Sequence, residues 1–141
     1  MISDKTEIGH PLGLVYYSIS FTILTYLFFN RPSIIASGIM PMAYGDGFAA
    51  LIGEQIGKWK YKIFANKSVE GSLSMFLFSF ASVACSLLFF SFSSPTQISS
   101  ILASSFYVSL LATFIEALSP FGLDDLTVPL ACGSLSYLMV K

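Results

Sequence analysis

Five long apolar runs make up most of this 141-residue chain and leave it few ways to fold. A membrane-crossing helix needs about 20 mostly apolar residues. Backbone N–H and C=O groups in hydrocarbon must be bonded within their own segment, so helices are the form in which such runs span. We therefore predict an all-α fold, a polytopic transmembrane helix bundle that forms one integral membrane domain over residues 1–141. The predicted spans are 12–29, 33–53, 71–92, 98–118 and 126–140.

The composition agrees with a membrane protein and excludes several other classes. The chain is 55% hydrophobic and 11% charged, with a mean hydropathy of +0.76, whereas soluble domains are about 25% charged. A net charge of −1 provides no basic field for nucleic acid. Cys85 and Cys132 lie in apolar runs without a CxxC pair, which predicts packed thiols. The segment "MISDKTEIGH" lacks the apolar core and cleavage site of a signal peptide.

Basic residues are concentrated in one loop, 54–70. Because Lys and Arg are enriched in cytoplasmic loops, we predict that this loop faces the cytoplasm, or the stroma in a plastid. Five alternating spans then place the N-terminus, loop 54–70 and loop 119–125 on the same face. Most charged residues of the chain fall on that face, which predicts a polar site there. The lysines of loop 54–70 are Lys58, Lys60, Lys62 and Lys67.

The stretch "MAYGDGFAALIGEQIGK", residues 42–58, is unusual for a span because it carries two acids and four glycines. Ala49, Gly53 and Gly57 recur every fourth residue, a small-residue stripe that allows a second helix to approach closely. Asp46 and Glu54 share a neighbouring face but lie roughly 12 Å apart along a helix. We therefore expect the two carboxylates to serve different groups, or different parts of one extended ligand such as a triphosphate.

Asp46 is the stronger functional candidate because a carboxylate well below the membrane interface is costly unless it is neutralised or faces a polar cavity. Gly45 and Gly47 flank it, and Pro41 lies just upstream. Together these residues predict local unwinding of the helix, with backbone exposed to a ligand.

The segment "NKSVEGS", residues 66–72, has the features of an anion site at the start of a helix. Ser68 is a suitable N-cap and Glu70 a suitable first-turn acid. Gly71 and Ser72 predict backbone open to close approach, and free N–H groups at a helix start bind phosphate. Lys67 is the predicted phosphate contact. For Lys58, Lys60 and Lys62, phosphate binding and simple interfacial anchoring remain equal alternatives.

A third polar segment, "EALSPFGLDDLTVPL", follows the fourth span. The acids at its helix start are either caps or ligands for magnesium and general bases. Acids and lysines around an anion site indicate phosphoryl or nucleotidyl transfer with Mg²⁺, which depends on positioning and charge neutralisation. No Walker A sequence and no kinase-type GxGxxG loop occur.

Two of these segments resemble the polyprenol kinase family, which includes phytol kinase, farnesol kinase, dolichol kinase and CTP-dependent diacylglycerol kinase. "GDGFAALIGEQIGKWKYKIFANKSVEGS" resembles the family's Gly-Asp-Gly core motif, with its basic stretch and Lys-Ser-x-x-Gly-Ser element. "EALSPFGLDDLTVPL" resembles the later glutamate and Asp-Asn-Leu-Thr element. The resemblance covers residues 36–131 and is greatest to the phytol kinase branch. It implies transfer of the γ-phosphate of CTP, or another triphosphate such as ATP, to a lipid alcohol, with Mg²⁺ and surrounding membrane lipids as partners.

The resemblance assigns expected roles by position. Asp46 and Asp124 are the catalytic and Mg²⁺-binding candidates. The phosphate-binding candidates are Lys58, Lys67, Ser68, Gly71 and Ser72, and the supporting candidates are Glu54, Glu70, Glu116, Asp125 and Thr127. Asp125 stands where the family usually has Asn. Family members also usually carry further N-terminal spans with a basic, histidine-bearing motif, so this chain is expected to be a shortened member or a fragment, with His10 a bystander.

Two other readings remain open from the sequence. A CTP:phosphatidate cytidylyltransferase has a similar membrane core, but its C-terminal signature is rich in His, Gly and Asp-Arg, where this chain reads "GLDDLTVPL". A transporter half or a subunit of a membrane complex also carries small-residue stripes and buried acids.

Overall fold

The computed structural model describes residues 4–56, 58, 60–62, 66–93, 95–118 and 124–139, with side chains described outside 4–13, 54, 60–62, 66–68 and 124. The described residues form a helical bundle with one short hairpin. The helices are α1 (Asp4–Leu27), α2 (Pro32–Met40), α3 (Gly47–Gln55), α4 (Val69–Ser91), α5 (Ile98–Leu118) and α6 (Asp124–Met139). A π-helical turn, Pro41–Asp46, joins α2 to α3 without a break, and the strands are β1 (Lys60–Lys62) and β2 (Asn66–Ser68).

The helices alternate in direction, which gives the bundle two distinct ends. The turn at Asn30–Ser33 and the turn at Ser91–Gln97 line one shared pocket, so both lie at the same end. At that end Arg31 also stacks over Tyr137, near the end of α6, at 5.3 Å. The strands and the first turns of α4 and α6 therefore lie at the other end, which we call the hairpin end.

The distribution of side chains is inverted relative to a soluble protein. Large apolar side chains such as Leu77, Phe92 and Phe114 are exposed, whereas ten serine and glutamate side chains are buried. Small hydroxyl residues at helix contacts allow helices to pack closely in lipid, where burial of apolar surface contributes little to helix association. An apolar outside and a serine-rich inside suit the hydrocarbon region of a membrane.

The predicted spans correspond to the observed helices within a few residues at most ends, except that α1 begins earlier. By length and composition, three described helices are long and apolar enough to cross a membrane: 32–53, 69–91 and 98–118. Residues 14–27 form a shorter apolar helix, and α6 has 16 residues. Within the segment 54–70, predicted as a loop, the described residues 60–62 and 66–68 pair as a hairpin, in which Lys60 pairs with Ser68 and Tyr61 with Lys67.

Cys132 is buried as predicted, and its Sγ donates to the Val108 carbonyl at 3.6 Å. The packing predicted for Cys85 is wrong, because that thiol is exposed; both cysteines are free. Cys85 lies on the outer face of α4, where it lines an open apolar groove instead of packing in the core.

A proline inside α6 ties that helix to α1. Pro129 has no N–H, so it cannot donate to the carbonyl of Asp125 four residues earlier. The hydroxyl of Ser20 in α1 donates to that carbonyl at 3.0 Å, and also contacts the Tyr17 carbonyl at 2.8 Å. Since an unbonded carbonyl is costly in a membrane, the contact fixes the start of α6 against α1.

This arrangement predicts coupling between Ser20 and Pro129. We expect Ser20→Ala to destabilise the protein by roughly 1 kcal/mol, because the Asp125 carbonyl loses its donor. In a Pro129→Ala background the restored N–H at position 129 serves that carbonyl, and the same substitution should cost less than half as much. Thermal unfolding of the four variants in detergent measures the coupling. An equal cost of Ser20→Ala in both backgrounds would contradict this assignment.

Candidate functional site

The hairpin end brings together polar segments that are far apart in the sequence, namely the two strands and the first turns of α4 and α6. The π turn packs against α4, α5 and α6, and β2 packs against α4. α4 and α6 begin at this end, whereas Asp46 lies deeper in the bundle, because its neighbour Gly45 contacts Met75 and Ser79 of α4. The hairpin and the starts of α4 and α6 share one end, as alternation of the spans predicts. That these groups form one site with Asp46, and the membrane side on which the end lies, stay predictions.

Asp46 lies half-buried at the junction between the π turn and α3. The predicted unwinding of the helix around it is wrong, because the chain stays helical from Pro32 to Gln55. Pro41 begins the π turn, and its missing N–H removes a bond that an α-helix would make to the Ser37 carbonyl. The helix responds by widening rather than opening. Single π turns of this kind occur often at functional sites.

The two glycines that flank Asp46 have different roles. Gly45 is buried against α4, and a Cβ placed there meets the Ser79 hydroxyl, the Met75 sulfur at 2.9 Å and the Met75 carbonyl at 3.2 Å. A Cβ on Gly47 meets nothing within 4 Å. The absence of a side chain at Gly45 therefore allows the π turn to pack directly against α4. This contact fixes the position of the neighbouring Asp46 backbone. Gly47 leaves open space on the other side of Asp46.

The small-residue stripe in α3 is partly confirmed. Ala49 is buried in the core and Gly53 is half-buried, while Gly57 lies outside the described residues. On the neighbouring stripe Ala50 is exposed, and the Glu54 side chain is not described.

The first turn of α4 is linked to the segment before the hairpin. The backbone N–H of Lys58 donates to Glu70 Oε1 at 3.1 Å, and Ser74 Oγ donates to the Glu70 carbonyl at 2.8 Å. Glu70 occupies the first turn of α4 as predicted, where a carboxylate is favoured by the helix dipole. Gly71 is buried and Ser72 half-buried, so the open backbone predicted at these two positions is wrong for Gly71, which packs into the bundle.

Lys67 and Ser68 are described only as backbone of β2. Ser68 directly precedes the first residue of α4, the position of the predicted N-cap. Its capping hydrogen bond and the phosphate contact of Lys67 stay predictions. Among the phosphate candidates whose side chains are described, Lys58 is exposed and so is accessible to an anion.

At the start of α6, Asp124 and Asp125 are the first two helical residues. The Asp124 side chain lies outside the described part. Asp125 is half-buried, its carbonyl accepts from Ser20, and its side chain is close enough to Tyr17 to interact with it electrostatically. Thr127 is exposed on α6. The start of α6, which carries Asp124 and Asp125, is thus fixed against α1 at the hairpin end.

Glu116 lies in the last turn of α5 and is only 5% exposed. It was predicted to face the polar surface from a helix end; the helix-end position is correct, but the side chain packs inside the bundle. A carboxylate near a helix C-terminus is disfavoured by the helix dipole, and a buried acid requires compensation from its surroundings.

A metal site built from protein groups alone does not occur among the described side chains, since no three His, Cys, Asp or Glu residues converge there. Mg²⁺ in phosphoryl-transfer sites is usually held by one or two carboxylates, with water and substrate phosphates completing the octahedron. Asp46 is suited to such a role by its carboxylate oxygens.

Three residues near the site were not singled out from the sequence: Tyr17, Ser20 and Ser79. The hydroxyls of Ser74, Ser82, Ser86 and Ser91 each donate to a carbonyl of α4. Ser79 Oγ, in contrast, is buried without a hydrogen-bond partner beside Gly45. No spacing rule distinguishes it from the other serines of α4, because its surroundings are set by the π turn of another segment.

Comparison with known proteins supports a relationship to one group. The chain is 37% identical to "Phytol kinase" of Synechocystis over 132 residues, covering 91% of this chain and 54% of that protein. It is 32% identical to "Probable phytol kinase 1, chloroplastic" of Oryza sativa over 99% of this chain and 47% of the relative. A soybean protein named "Probable phytol kinase 1, chloroplastic" is 29% identical over 97% of this chain and 48% of its own length.

The chain thus spans about half the length of the curated relatives it matches. No protein-family model matches it, and no solved structure matches it. Because the Synechocystis match covers 91% of this chain, it includes Asp46, the first turn of α4 and the start of α6 wherever it begins. Over the part of those proteins that it spans, the chain is a sequence relative of the proteins named phytol kinase.

Proposed function

We propose that this chain forms the catalytic region of a membrane-embedded lipid-alcohol kinase. It transfers the γ-phosphate of CTP, or of another nucleoside triphosphate such as ATP, to the hydroxyl of an isoprenoid alcohol such as phytol. The observation that carries the proposal is the match to a protein named phytol kinase across 91% of this chain. The half-buried Asp46 at the end of the π turn supports it.

In the proposed reaction the alcohol oxygen forms a bond to the γ-phosphorus while the bond from that phosphorus to the β–γ bridging oxygen breaks. The alcohol proton passes to a carboxylate, for which Asp46 and Asp124 are the candidates. Asp46 and Asp124 would also be the residues to hold Mg²⁺, which would supply neutralisation of the polyphosphate charge. The nucleoside diphosphate leaves with the electrons of the broken bond.

The other residues of the hairpin end have supporting roles in this proposal. Lys58 and Lys67 neutralise phosphate charge, and the start of α4 from Ser68 to Ser72 offers backbone N–H groups. Glu54, Glu116, Asp125 and Thr127 orient these groups. The alcohol enters from the bilayer, since the outer surface of the bundle is apolar.

A labelled-nucleotide assay tests the proposal. Purified chain in lipid nanodiscs is incubated with Mg²⁺, phytol and CTP or ATP carrying label in either the γ- or the α-phosphate. We expect γ-label in a lipid-soluble phosphate ester and no transfer of α-label. Transfer of α-label to phosphatidate, with release of pyrophosphate, would instead identify a cytidylyltransferase.

The negative control is the same preparation with EDTA in place of Mg²⁺. A folded chain that transfers neither label to any alcohol of the phytol, farnesol, dolichol and diacylglycerol set would contradict kinase activity for this chain. Chain length and headgroup preference within that set would identify the alcohol.

A further inference from the structure

A pocket with both polar and apolar walls lies at the end of the bundle opposite to the hairpin end. Its volume is about 840 Å³, within the range of small-molecule pockets. Residues 30–34, around the start of α2, form one side, and the turn between α4 and α5 with the first turn of α5 forms the other. We call it the far-end pocket.

Arg31 supplies the charge of the far-end pocket. Its guanidinium lies over the Tyr137 ring, with Cζ 5.3 Å from the ring centroid. An aromatic ring attracts a cation but carries no net charge. Tyr137 therefore holds the guanidinium in place without supplying a counter-ion.

The segments that meet at this end of the bundle contain no acid to pair with Arg31. All eight Asp and Glu residues of the chain fall outside residues 8–45, 71–115 and 126–141. A cation at the edge of the hydrocarbon region is costly unless it is paired or solvated. The counter-ion of Arg31 is therefore expected to come from outside the chain.

Two hydroxyl groups in the pocket wall add hydrogen-bond donors. Ser33 and Ser100 lie in the first turns of α2 and α5, and both line the pocket. Serines farther along a helix donate to a carbonyl one turn earlier, as Ser91 does to Leu88 at 2.6 Å. No helical turn precedes positions 33 and 100, so neither hydroxyl has such an acceptor. Both are thus available to an anion that Arg31 attracts.

The inner wall of the far-end pocket is apolar. It is formed by Ile34, Leu87, Phe90 and Ile101, of which Phe90 is half-buried and so keeps part of its ring surface for an occupant. A free phosphate ion would contact the polar wall alone. A lipid would place its phosphate at the polar wall and its glycerol and acyl carbons against the apolar one. The mixed lining therefore favours an amphiphile over a soluble ion.

The pocket also lies at the membrane depth of lipid headgroups. Helices 32–53, 69–91 and 98–118 are long and apolar enough to span. The first and third begin at the pocket and the second ends there. Headgroups of one leaflet occupy the level at which spanning helices end. Basic pockets between spanning helices bind anionic headgroups.

We propose that the far-end pocket binds the phosphate of an anionic phospholipid from the leaflet at that end of the bundle. Arg31 and the hydroxyls of Ser33 and Ser100 hold the phosphate oxygens, and the first acyl carbons lie against Phe90. The chemistry recognised is that of a phosphate ester, and the apolar wall selects a lipid over a soluble phosphate. The inference is independent of the proposed kinase function, since none of these residues belongs to the candidate site.

Two matched charge variants test the proposal. Native mass spectrometry of the detergent-solubilised chain measures binding of phosphatidylglycerol and phosphatidylcholine at equal concentrations. Because charge-assisted hydrogen bonds to phosphate are strong, we expect Arg31→Gln to weaken binding of the first phosphatidylglycerol about tenfold. Lys5→Gln removes the same charge in the first turn of α1, at the hairpin end, and should bind this lipid as the wild type does.

The headgroup and the two hydroxyls provide further comparisons. The wild type should bind phosphatidylcholine more weakly, because the pocket has no carboxylate to pair with choline. Combined Ser33→Ala and Ser100→Ala should weaken phosphatidylglycerol binding severalfold while leaving the charge unchanged. Equal affinity of Arg31→Gln and Lys5→Gln for phosphatidylglycerol would overturn the assignment, and so would equal affinity of the wild type for the two lipids.

Soluble competitors distinguish the source of the phosphate. Glycerol 3-phosphate and inorganic phosphate are each added at the concentration of phosphatidylglycerol. We expect neither to displace the lipid, because neither covers the apolar wall. Displacement at equal concentration would identify a site for soluble anions and contradict the lipid assignment.

A crosslinking measurement in nanodiscs locates the bound lipid. Phosphatidylglycerol with a photoreactive diazirine near the start of an acyl chain is crosslinked to the chain, and labelled peptides are mapped by mass spectrometry. We expect label in residues 30–34 and 87–101 of the wild type and of Lys5→Gln, and much less there in Arg31→Gln. The same label in all three proteins would show a general lipid contact and overturn the proposal.

Discussion

Asp46→Asn is expected to reduce phosphate transfer by at least roughly a hundredfold, the usual contribution of a positioned acid or base. The substitution keeps the size of the side chain and a hydrogen-bond acceptor but removes the negative charge. An amide neither accepts the alcohol proton nor binds Mg²⁺ as a carboxylate does. Initial rates with labelled CTP and phytol measure the loss.

Retained folding must accompany this loss if Asp46 acts in the chemistry. The thermal unfolding midpoint of Asp46→Asn in detergent should lie close to that of wild type, because asparagine keeps the size and one acceptor oxygen of the side chain, and the Gly45 contact with α4 is unchanged. Turnover by Asp46→Asn within a fewfold of the wild-type rate would exclude Asp46 from the mechanism.

Gly45→Ala should destabilise the bundle by about 2 kcal/mol, whereas Gly47→Ala should be neutral or slightly stabilising. The added methyl at position 45 meets Ser79 and the Met75 sulfur and carbonyl, so the π turn must move away from α4. At position 47 the methyl enters open space on an ordinary helical backbone, with φ of −60°. Thermal unfolding of the pair measures the difference.

The same pair should also differ in activity, because a displacement of about 1 Å in a catalytic group is enough to cost a hundredfold. We expect a large loss of kcat/KM in Gly45→Ala and little change in Gly47→Ala. Adding Ser79→Ala to the Gly45→Ala variant removes one of the clashing atoms and should recover part of the stability. Equal behaviour of the two glycine variants would show that the contact with α4 does not position Asp46.

The sequence predicts the helices well because each is encoded locally. Apolar runs bounded by turn residues place α4 and α5 within about two residues of their observed ends. The acids Glu70 and Asp125 lie in the first turns of their helices, as expected from the preference of carboxylates for helix starts. The common location of these helix starts follows from alternation of the spans.

Contacts that join distant segments could not be predicted in this way. The hydrogen bond from Ser20 to the Asp125 carbonyl connects residues 105 positions apart, and nothing in either local sequence indicates the other. The widened turn before Asp46 depends on Pro41 and on the packing of Gly45 against α4, so local signals alone suggest unwinding. The strands of the hairpin have only three residues each, and the alternation of lysines with apolar residues over 58–63 also fits an interfacial segment.

The π turn places one more residue in its circuit than an α-turn does. Everything beyond Asp46 is therefore rotated by about 100° relative to an uninterrupted α-helix, the angle that one residue occupies. Gly38 in the first half approaches the Pro129 carbonyl of α6, while Gly45 in the turn approaches α4. The two halves of one continuous helix thus contact two different neighbours in independently set directions. Substitutions at the contact with α6 can therefore accumulate without changing the direction of the Asp46 carboxylate at the end of the turn.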